Sequence, residues 1–232
     1  MSHSEPFNLL RIAVMLGIFV VFFPLLPLII TGHWDWWEAR VYAAIYILGF
    51  GISRTLAGRR HPDLLGERAR FLRHGDTKAW DKILAPLVSL GGCLIPLVVG
   101  LDARYGWSPP FQLPEKLVAL FIILGGFLLG SYALIENRFF SGTVRIQHDR
   151  RHQIVTTGPY RWVRHTGYAG ALLSYLATPV FLDSYWAYLP VLFLTVCLVL
   201  RTALEDRTLQ NELAGYREYA GQTCYRLIPG IW

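Results

Sequence analysis

Two short stretches in the C-terminal half concentrate side chains suited to ligand binding or catalysis. The first is Gly158-Pro159-Tyr160-Arg161-Trp162-Val163-Arg164-His165-Thr166-Gly167-Tyr168. Gly-Pro signals a turn, and Pro159 suits the first position of a helix. Helical spacing from there sets His165 and Tyr168 on one face at i, i+3, with Arg161 and Arg164 beside it. The second stretch is Arg201-Thr202-Ala203-Leu204-Glu205-Asp206-Arg207. Arg201 and Glu205 stand at i, i+4, and Glu212 follows two turns later on a similar face. Adjacent carboxylates directly below an apolar run are costly and ask for a cationic partner. Each stretch has a structural and a functional reading. The structural reading is snorkelling arginines, an interfacial tyrosine and self-paired ions. The functional reading is a site for a polar, cationic ligand.

Other chemistries fit less well. His148 and His152 stand at i, i+4 with Asp149 adjacent, but no third ligand has suggestive spacing, so no metal is expected. There is no P-loop, GxSxG or HExxH pattern. Three cysteines without a CxxC pair exclude a disulfide scaffold and a zinc ribbon. Cys93 and Cys197 fall in apolar runs as small packing residues, and Cys224 falls in the tail.

The elements that must hold these stretches are dictated by composition. The chain has 232 residues, 53% hydrophobic and 16% charged, against about 25% charged in soluble domains. Mean hydropathy is +0.36. A soluble globule of this size has nowhere to bury so much apolar surface, and disorder is excluded for the same reason. The expected fold is all-α, a polytopic transmembrane bundle of about six spans. Apolar runs cover Leu9 to Ile30, Trp37 to Ser53, Ile83 to Leu101, Leu117 to Ile135, Gly167 to Leu182 and Trp186 to Leu200. The first is too long for a secretory signal, and its start is nearly neutral. Pro24 and Pro27 are expected to kink it or end its regular part. The last two runs are short and meet at a tight polar turn, Asp183-Ser184, so a tilted hairpin is expected. Gly126 and Gly130 have GxxxG spacing in the fourth run, which suits close helix packing or a glycine-lined ligand wall.

Net charge is +6. In a membrane protein a basic balance reports cytoplasmic loops rather than nucleic acid. Basic residues crowd segment 54–82 (Arg54, Arg59, Arg60, Arg68, Arg70, Arg73, Lys78, Lys82), segment 138–164 and the tail from Arg201. With Arg11 these fall on one side of a six-span chain, leaving Arg40, Arg104 and Lys116 on the other. The positive-inside rule puts the basic side, with both termini, in the cytoplasm. Trp34, Trp36, Trp37, Trp107 and Trp186 gather at the opposite boundary as an aromatic belt. Residues 1–135 read as N-terminal spans with a basic loop. Residues 136–232 read as the functional region, its pocket formed by the 138–165 loop and the tail.

The blocks Gln147, Gly158-Pro159-Tyr160-Arg161, Val163-Arg164-His165, Tyr168 and Gly170 resemble the isoprenylcysteine carboxyl methyltransferase family of integral membrane enzymes. So do Arg201-x3-Glu205-Asp206-x2-Leu209, Tyr216-x2-Tyr219 and Arg226-x-Ile228-Pro229. The similarity is close over roughly Glu136 to Pro229. It is looser, and towards the bacterial branch, at His61 to Arg68 and Trp80-Asp81-Lys82. The family commonly has Arg-His-Pro where this chain has Arg164-His165-Thr166, and Glu-Glu where it has Glu205-Asp206.

This resemblance implies methyl transfer from S-adenosylmethionine, bound in a cytoplasmic pocket, to a lipid-like acceptor arriving from the bilayer. It implies cofactor contacts from Gln147, Gly158, Pro159, Tyr160, Arg164, His165, Tyr168, Glu205 and Asp206, with catalytic roles for Arg201 and Glu205. It implies residence in a bacterial inner membrane, among membrane lipids and without an obligate protein partner. The chemistry fits, since a Glu can pair the cofactor's ammonium, an Arg or His its carboxylate, and Tyr faces its adenine and sulfonium. Two rivals stand beside it. One is an NADPH-dependent membrane sterol reductase, with Arg145, Arg150 and Arg151 on the 2′-phosphate. The other is a non-enzymatic protein whose basic loops bind anionic lipids.

Overall fold

The computed structural model describes residues 9–70 and 74–232, with side chains at residue 17 and from residue 19 onward. Arg73 and the side chain of Arg11 lie outside the described residues. Among the described residues eight α-helices follow one another: α1 (Leu9–Thr31), α2 (Trp37–Arg60), α3 (Pro62–Ala69), α4 (Asp81–Tyr105), α5 (Leu113–Glu136), α6 (Thr166–Phe181), α7 (Tyr188–Glu212) and α8 (Tyr216–Gln222). Single 3-10 turns occupy His148–Arg150 and Gly158–Arg161. No strand occurs among the described residues. Four helices, α2, α4, α5 and α7, are long and apolar enough to cross a membrane, and α1 adds the apolar stretch Phe19–Thr31. The protein is an all-helical integral membrane protein.

Helix α1 runs through both of its prolines. Neighbouring side chains commonly re-satisfy backbone groups freed by proline in a membrane helix. Here the Thr31 hydroxyl donates to the Pro27 carbonyl at 2.7 Å. The helix stops at Gly32, whose φ of +72° ends it. Helix α7 also runs further than its apolar run, which ends near Leu200. It continues to Glu212 because Arg201, Thr202, Asp206 and Thr208 form a buried polar face there.

Helices α5 and α6 meet backbone to backbone. A Cβ on Gly170 would lie 2.5 Å from the Gly126 carbonyl oxygen and 2.6 Å from the Gly130 nitrogen. The Ser174 hydroxyl donates across the seam to the Ile123 carbonyl at 3.1 Å. The Gly126-Gly130 spacing therefore serves close packing, and Gly170 and Ser174 fill the wall it offers.

The two ends of the bundle differ. At one end Lys116 joins Glu38 at 2.7 Å and Asp183 at 2.5 Å. Nearby Asp102 accepts from Ser108 and from the Ser184 hydroxyl at 2.6 Å. These buried ions clasp α2, α4, α5 and the turn between α6 and α7. The same end carries the exposed Trp34, Trp107 and Trp186. At the other end, ion pairs tie the two halves of the chain together. Arg145 joins Glu67, Asp76 and Asp149, Arg150 joins Asp63, and Lys78 joins Glu212.

Candidate functional site

The ion-paired end contains a cavity that opens to solvent. Its walls come from the loop after α5, the start of α6, the second half of α7 and α8. Local chemistry shapes the loop. Gly158 takes a φ of +58°, and Pro159 opens the short 3-10 turn. That turn does not run on into α6. At residues 164 and 165 the backbone pairs with the tail instead, Arg164 N–H donating to the Tyr225 carbonyl at 3.0 Å and His165 N–H to the Arg226 carbonyl at 2.9 Å. The continuous helix expected from Pro159 is thus replaced by a strap-to-tail contact. His165 still ends beside Tyr168, because its carbonyl accepts the first α6 N–H groups. Their rings lie parallel, with centroids 5.9 Å apart. Thr166, at the first helical position, donates its hydroxyl to the Val163 carbonyl at 2.9 Å.

Of the residues singled out in the sequence, Gln147, Tyr160, Arg164, His165, Tyr168, Arg201 and Glu205 line the cavity. Gly158, Pro159 and Asp206 do not. Gly158 faces Glu136 and Tyr132, and Pro159 is buried behind Tyr160. Asp206 is fully buried behind the wall. It accepts from Arg164 at 2.8 and 2.9 Å, Arg226 at 2.9 Å, Gln210 at 2.7 Å and Tyr216 at 3.2 Å. His165 Nε2 lies 3.3 Å from it. It is the tie that fastens the tail and α8 to α7. Arg164 is committed to this tie and to the Thr223 and Cys224 carbonyls at 2.6 and 2.8 Å, so little of its guanidinium is left for a ligand.

Arg201 does not pair with Glu205. It forms a bidentate pair with Asp81 of α4 at 2.7 and 3.1 Å and donates to the Gly142 carbonyl at 3.0 Å. Its guanidinium carbon lies 5.4 Å from the Tyr168 ring centre. Asp81 also accepts the Val144 N–H at 2.6 Å. Glu205 accepts the Tyr168 hydroxyl at 2.7 Å and has no ion-pair partner among the described residues. Glu212, expected on the same face, pairs with Lys78 instead.

The remaining lining is aromatic and apolar. The Tyr160 hydroxyl donates to the Ala133 carbonyl at 3.2 Å, and the Tyr219 hydroxyl donates to the Tyr160 carbonyl at 2.7 Å. Burial pushes the Tyr219 phenol up to about 12. Gln147 donates to the Phe139 carbonyl at 2.8 Å and accepts from Arg150. His152 tilts over the Phe139 ring at 4.6 Å. Burial first, and then the charges of Arg150, Arg145 and His148, hold its imidazole down to about 4. Burial works against the Arg145 charge, yet hydrogen bonds to Asp149, Glu67 and Asp76 outweigh it and raise its pKa.

Sequence reasoning gave Asp81, Tyr216 and Tyr219 no role beyond the family resemblance, and weighed His152 only as a metal ligand. The two tyrosines have a visible i, i+3 signal. Asp81 offers only a lone acid at the head of an apolar run.

The residues present fit S-adenosylmethionine. A half-buried carboxylate with no direct ion pair among the described residues, Glu205, suits the ammonium, and tyrosine faces suit the adenine and sulfonium. Ile154, Val155, Leu209 and Leu213 complete a dry wall.

Comparison with known proteins places similarity on α5, the loop after it, α6 and α7. Residues 118–211 match the model of the isoprenylcysteine carboxyl methyltransferase (ICMT) family. A probable protein-S-isoprenylcysteine O-methyltransferase of Oryza sativa subsp. indica is 33% identical over 66 residues, 28% of this chain and 35% of the relative. Protein-S-isoprenylcysteine O-methyltransferase A of Arabidopsis thaliana is 31% identical over 101 residues, 43% of this chain and 48% of the relative. A Delta(14)-sterol reductase of Mus musculus is 28% identical over 152 residues, 60% of this chain and 36% of the relative. The chain spans about a third to a half of the length of these relatives.

Proposed function

We propose that this protein is an S-adenosylmethionine-dependent methyltransferase acting on a lipid-like acceptor at the cytoplasmic face of a membrane, in a bacterium its inner membrane. The observation that carries this reading is Glu205, a half-buried carboxylate with one hydroxyl partner, in a tyrosine-lined cavity. The methyltransferase family model spans Tyr160, His165, Tyr168 and Glu205 and supports it. In this reading residues 1–135 anchor the enzyme and admit the acceptor, while residues 136–232 hold the cofactor.

Bound there, S-adenosylmethionine would supply an electrophilic methyl group open to in-line displacement. The chain's own contribution is alignment and exclusion of water. Glu205 holds the ammonium end, with Tyr168 fixing its orientation. His165 and Tyr168 form a paired aromatic wall, and Tyr160 and Tyr219 close the opposite side. Arg201, locked by Asp81, sets the face of Tyr168 and offsets nearby negative charge. A carboxylate acceptor needs no general base. Neither Gly158 nor Pro159 need touch the ligand, since their contribution is the turn that seats Tyr160.

The reductase reading has support in the sterol reductase relative. Its phosphate site would draw on Arg145, Arg150 and Arg151, and the first two are already paired with carboxylates. Calorimetry on the purified protein separates the readings. S-adenosylmethionine is expected to bind saturably and NADPH not to bind. A folded protein that binds only NADPH, or neither, overturns the assignment.

A further inference from the structure

The strap that leads into α6 and the tail after α8 run side by side, joined by the backbone bonds from Arg164 and His165 to Tyr225 and Arg226. Both send apolar side chains inward. Val163 of the strap and Leu227 of the tail are buried in one cluster with Ile95 of α4 and Leu194 and Leu198 of α7, and Trp232 packs against it. Helices α4 and α7 are long and apolar enough to cross a membrane. The strap and tail therefore rest directly on the membrane-spanning part of the bundle.

The chain neighbours of these inward residues are exposed and are also apolar. Trp162, beside Val163, is 62% exposed; Ile228, beside Leu227, is 48% exposed; Ile231, beside Trp232, is 77% exposed. A tight turn gathers the tail residues: Gly230 takes a φ of +78°, and the Ile231 N–H donates to the Ile228 carbonyl at 3.1 Å. Single exposed apolar residues are ordinary on a protein surface, but a tryptophan and two isoleucines on adjoining segments mark an interaction site. Arg161, next to Trp162, is exposed and has no ion pair among the described residues.

These features select a lipid surface as the partner. The inward side chains share a core with membrane-spanning helices, so the exposed ones border a surface that lipid covers. Indole and branched aliphatic groups beside a free guanidinium suit the headgroup boundary, where the rings sit at the interface and the cation meets lipid phosphate. Arg226 links this surface to the cavity. Its guanidinium carbon lies 5.1 Å from the Trp232 ring centre, and it donates to Asp206 at 2.9 Å. Asp206 in turn holds Arg164, whose neighbour His165 lines the cavity.

We propose that the strap and tail form one interfacial anchor. Trp162, Ile228 and Ile231 enter the headgroup boundary of the bilayer, and Arg161 meets anionic headgroups. Lipid contact then clamps the cavity wall through Arg226 and Asp206. Only the clamp's effect on the cofactor rests on the methyl-transfer reading; the anchor stands on geometry alone.

The test uses spin labels on the full chain in phosphatidylcholine vesicles, with and without phosphatidylglycerol. Trp162→Cys, Ile231→Cys and, at an exposed position of α8, Glu218→Cys are labelled singly in a background with Cys93, Cys197 and Cys224 changed to Ala. Dissolved oxygen concentrates in lipid, and an uncharged nickel chelate stays in water. The labels at 162 and 231 are expected to relax more with oxygen than with nickel, and the label at 218 to show the reverse. Phosphatidylglycerol is expected to lower nickel access at 162, and Arg161→Gln to abolish that dependence. Trp162→Ser combined with Ile231→Ser is expected to unfold cooperatively, yet to bind S-adenosylmethionine at least about fivefold more weakly than the parent, the lower end of coupling between two sites. Ile231→Ser alone carries that measurement if the pair does not fold. Nickel access at 162 and 231 equal to that at 218 overturns the anchor. So do labels shielded from both agents and broadened by each other between copies, which would make the patch a dimer face. Unchanged cofactor affinity in the serine variants overturns the clamp. If no protein, parent included, binds S-adenosylmethionine while both labels sit in lipid, the methyl-transfer reading falls and the anchor stands.

Discussion

Glu205 and Asp206 are adjacent carboxylates with opposite duties, and substitution should separate them. Asp206 neutralises Arg164 and Arg226 in a fully buried place. Asp206→Ala would leave the buried Arg164 guanidinium without its counter-charge, a loss on the order of 3–5 kcal/mol. Thermal unfolding in detergent should drop sharply, and tail residues such as Cys224 should become more reactive to thiol reagents. Glu205→Gln keeps size and its hydroxyl contact, so unfolding should barely move. Its effect should fall on S-adenosylmethionine, with affinity lowered at least about tenfold, the size of one charge-assisted bond. Unchanged affinity in a folded Glu205→Gln protein would remove Glu205 from the site. His152 supplies a pH signature. Its folded pKa of about 4 lies below that of the unfolded chain, about 6.5. Between those values the unfolded chain holds a proton that the folded chain does not, so stability is complete above about pH 6.5 and falls as pH drops towards 4. His152→Asn should flatten that slope in unfolding measured from pH 7 to pH 4.5.

Among the elements, the α5–α6 seam carries the site's alignment. Gly170 lies half a turn from Tyr168, and its missing Cβ is what lets the two backbones touch. Alanine favours a helix interior over glycine by about 1 kcal/mol, but here the obstacle is backbone, which cannot swing aside. Gly170→Ala should therefore lower both the unfolding temperature and cofactor affinity. Gly221→Ala, with open space around it, serves as the control. The seam also marks what could be read from one sequence. Long apolar runs and the GxxxG spacing are local, and they foretold α2, α4, α5 and their packing. Helix ends were less legible where charge interrupts hydropathy without interrupting the helix, as at Arg54 in α2 and Arg201 in α7. The break at residues 162–165 was not legible, because its hydrogen-bond partners Tyr225 and Arg226 lie about sixty residues downstream. Arg201 looked like Glu205's partner on spacing alone, since nothing local advertises Asp81 across 120 residues. Glu205 and Tyr168 could be picked out because a carboxylate and a tyrosine at the base of apolar helices are conspicuous by type.

For the molecule as a whole, charge and tryptophans divide the two ends and give a test of topology. The exposed native Cys224 reports the ion-paired end. A cysteine introduced at exposed Pro110 reports the other. In sealed right-side-out vesicles, an impermeant thiol reagent should label Pro110→Cys in a Cys224→Ser background and spare Cys224 in the parent; labelling of both from outside would defeat the positive-inside orientation. Helix lengths across the hairpin carry a further consequence. Helix α6 has 16 residues and α7 has 25, so at ~1.5 Å per residue α6 is ~24 Å long. The hydrocarbon layer is ~30 Å thick. With the Asp183 turn at the far headgroups, α6 would end short of the near ones, and the acceptor is expected to reach His165 and Tyr168 from the acyl-chain layer. Encounters there are set by a two-dimensional concentration. Turnover should follow the mole fraction of acceptor in the bilayer, slowing when inert lipid is added at constant total acceptor. It should stay unchanged per enzyme when the whole vesicle suspension is diluted at saturating cofactor.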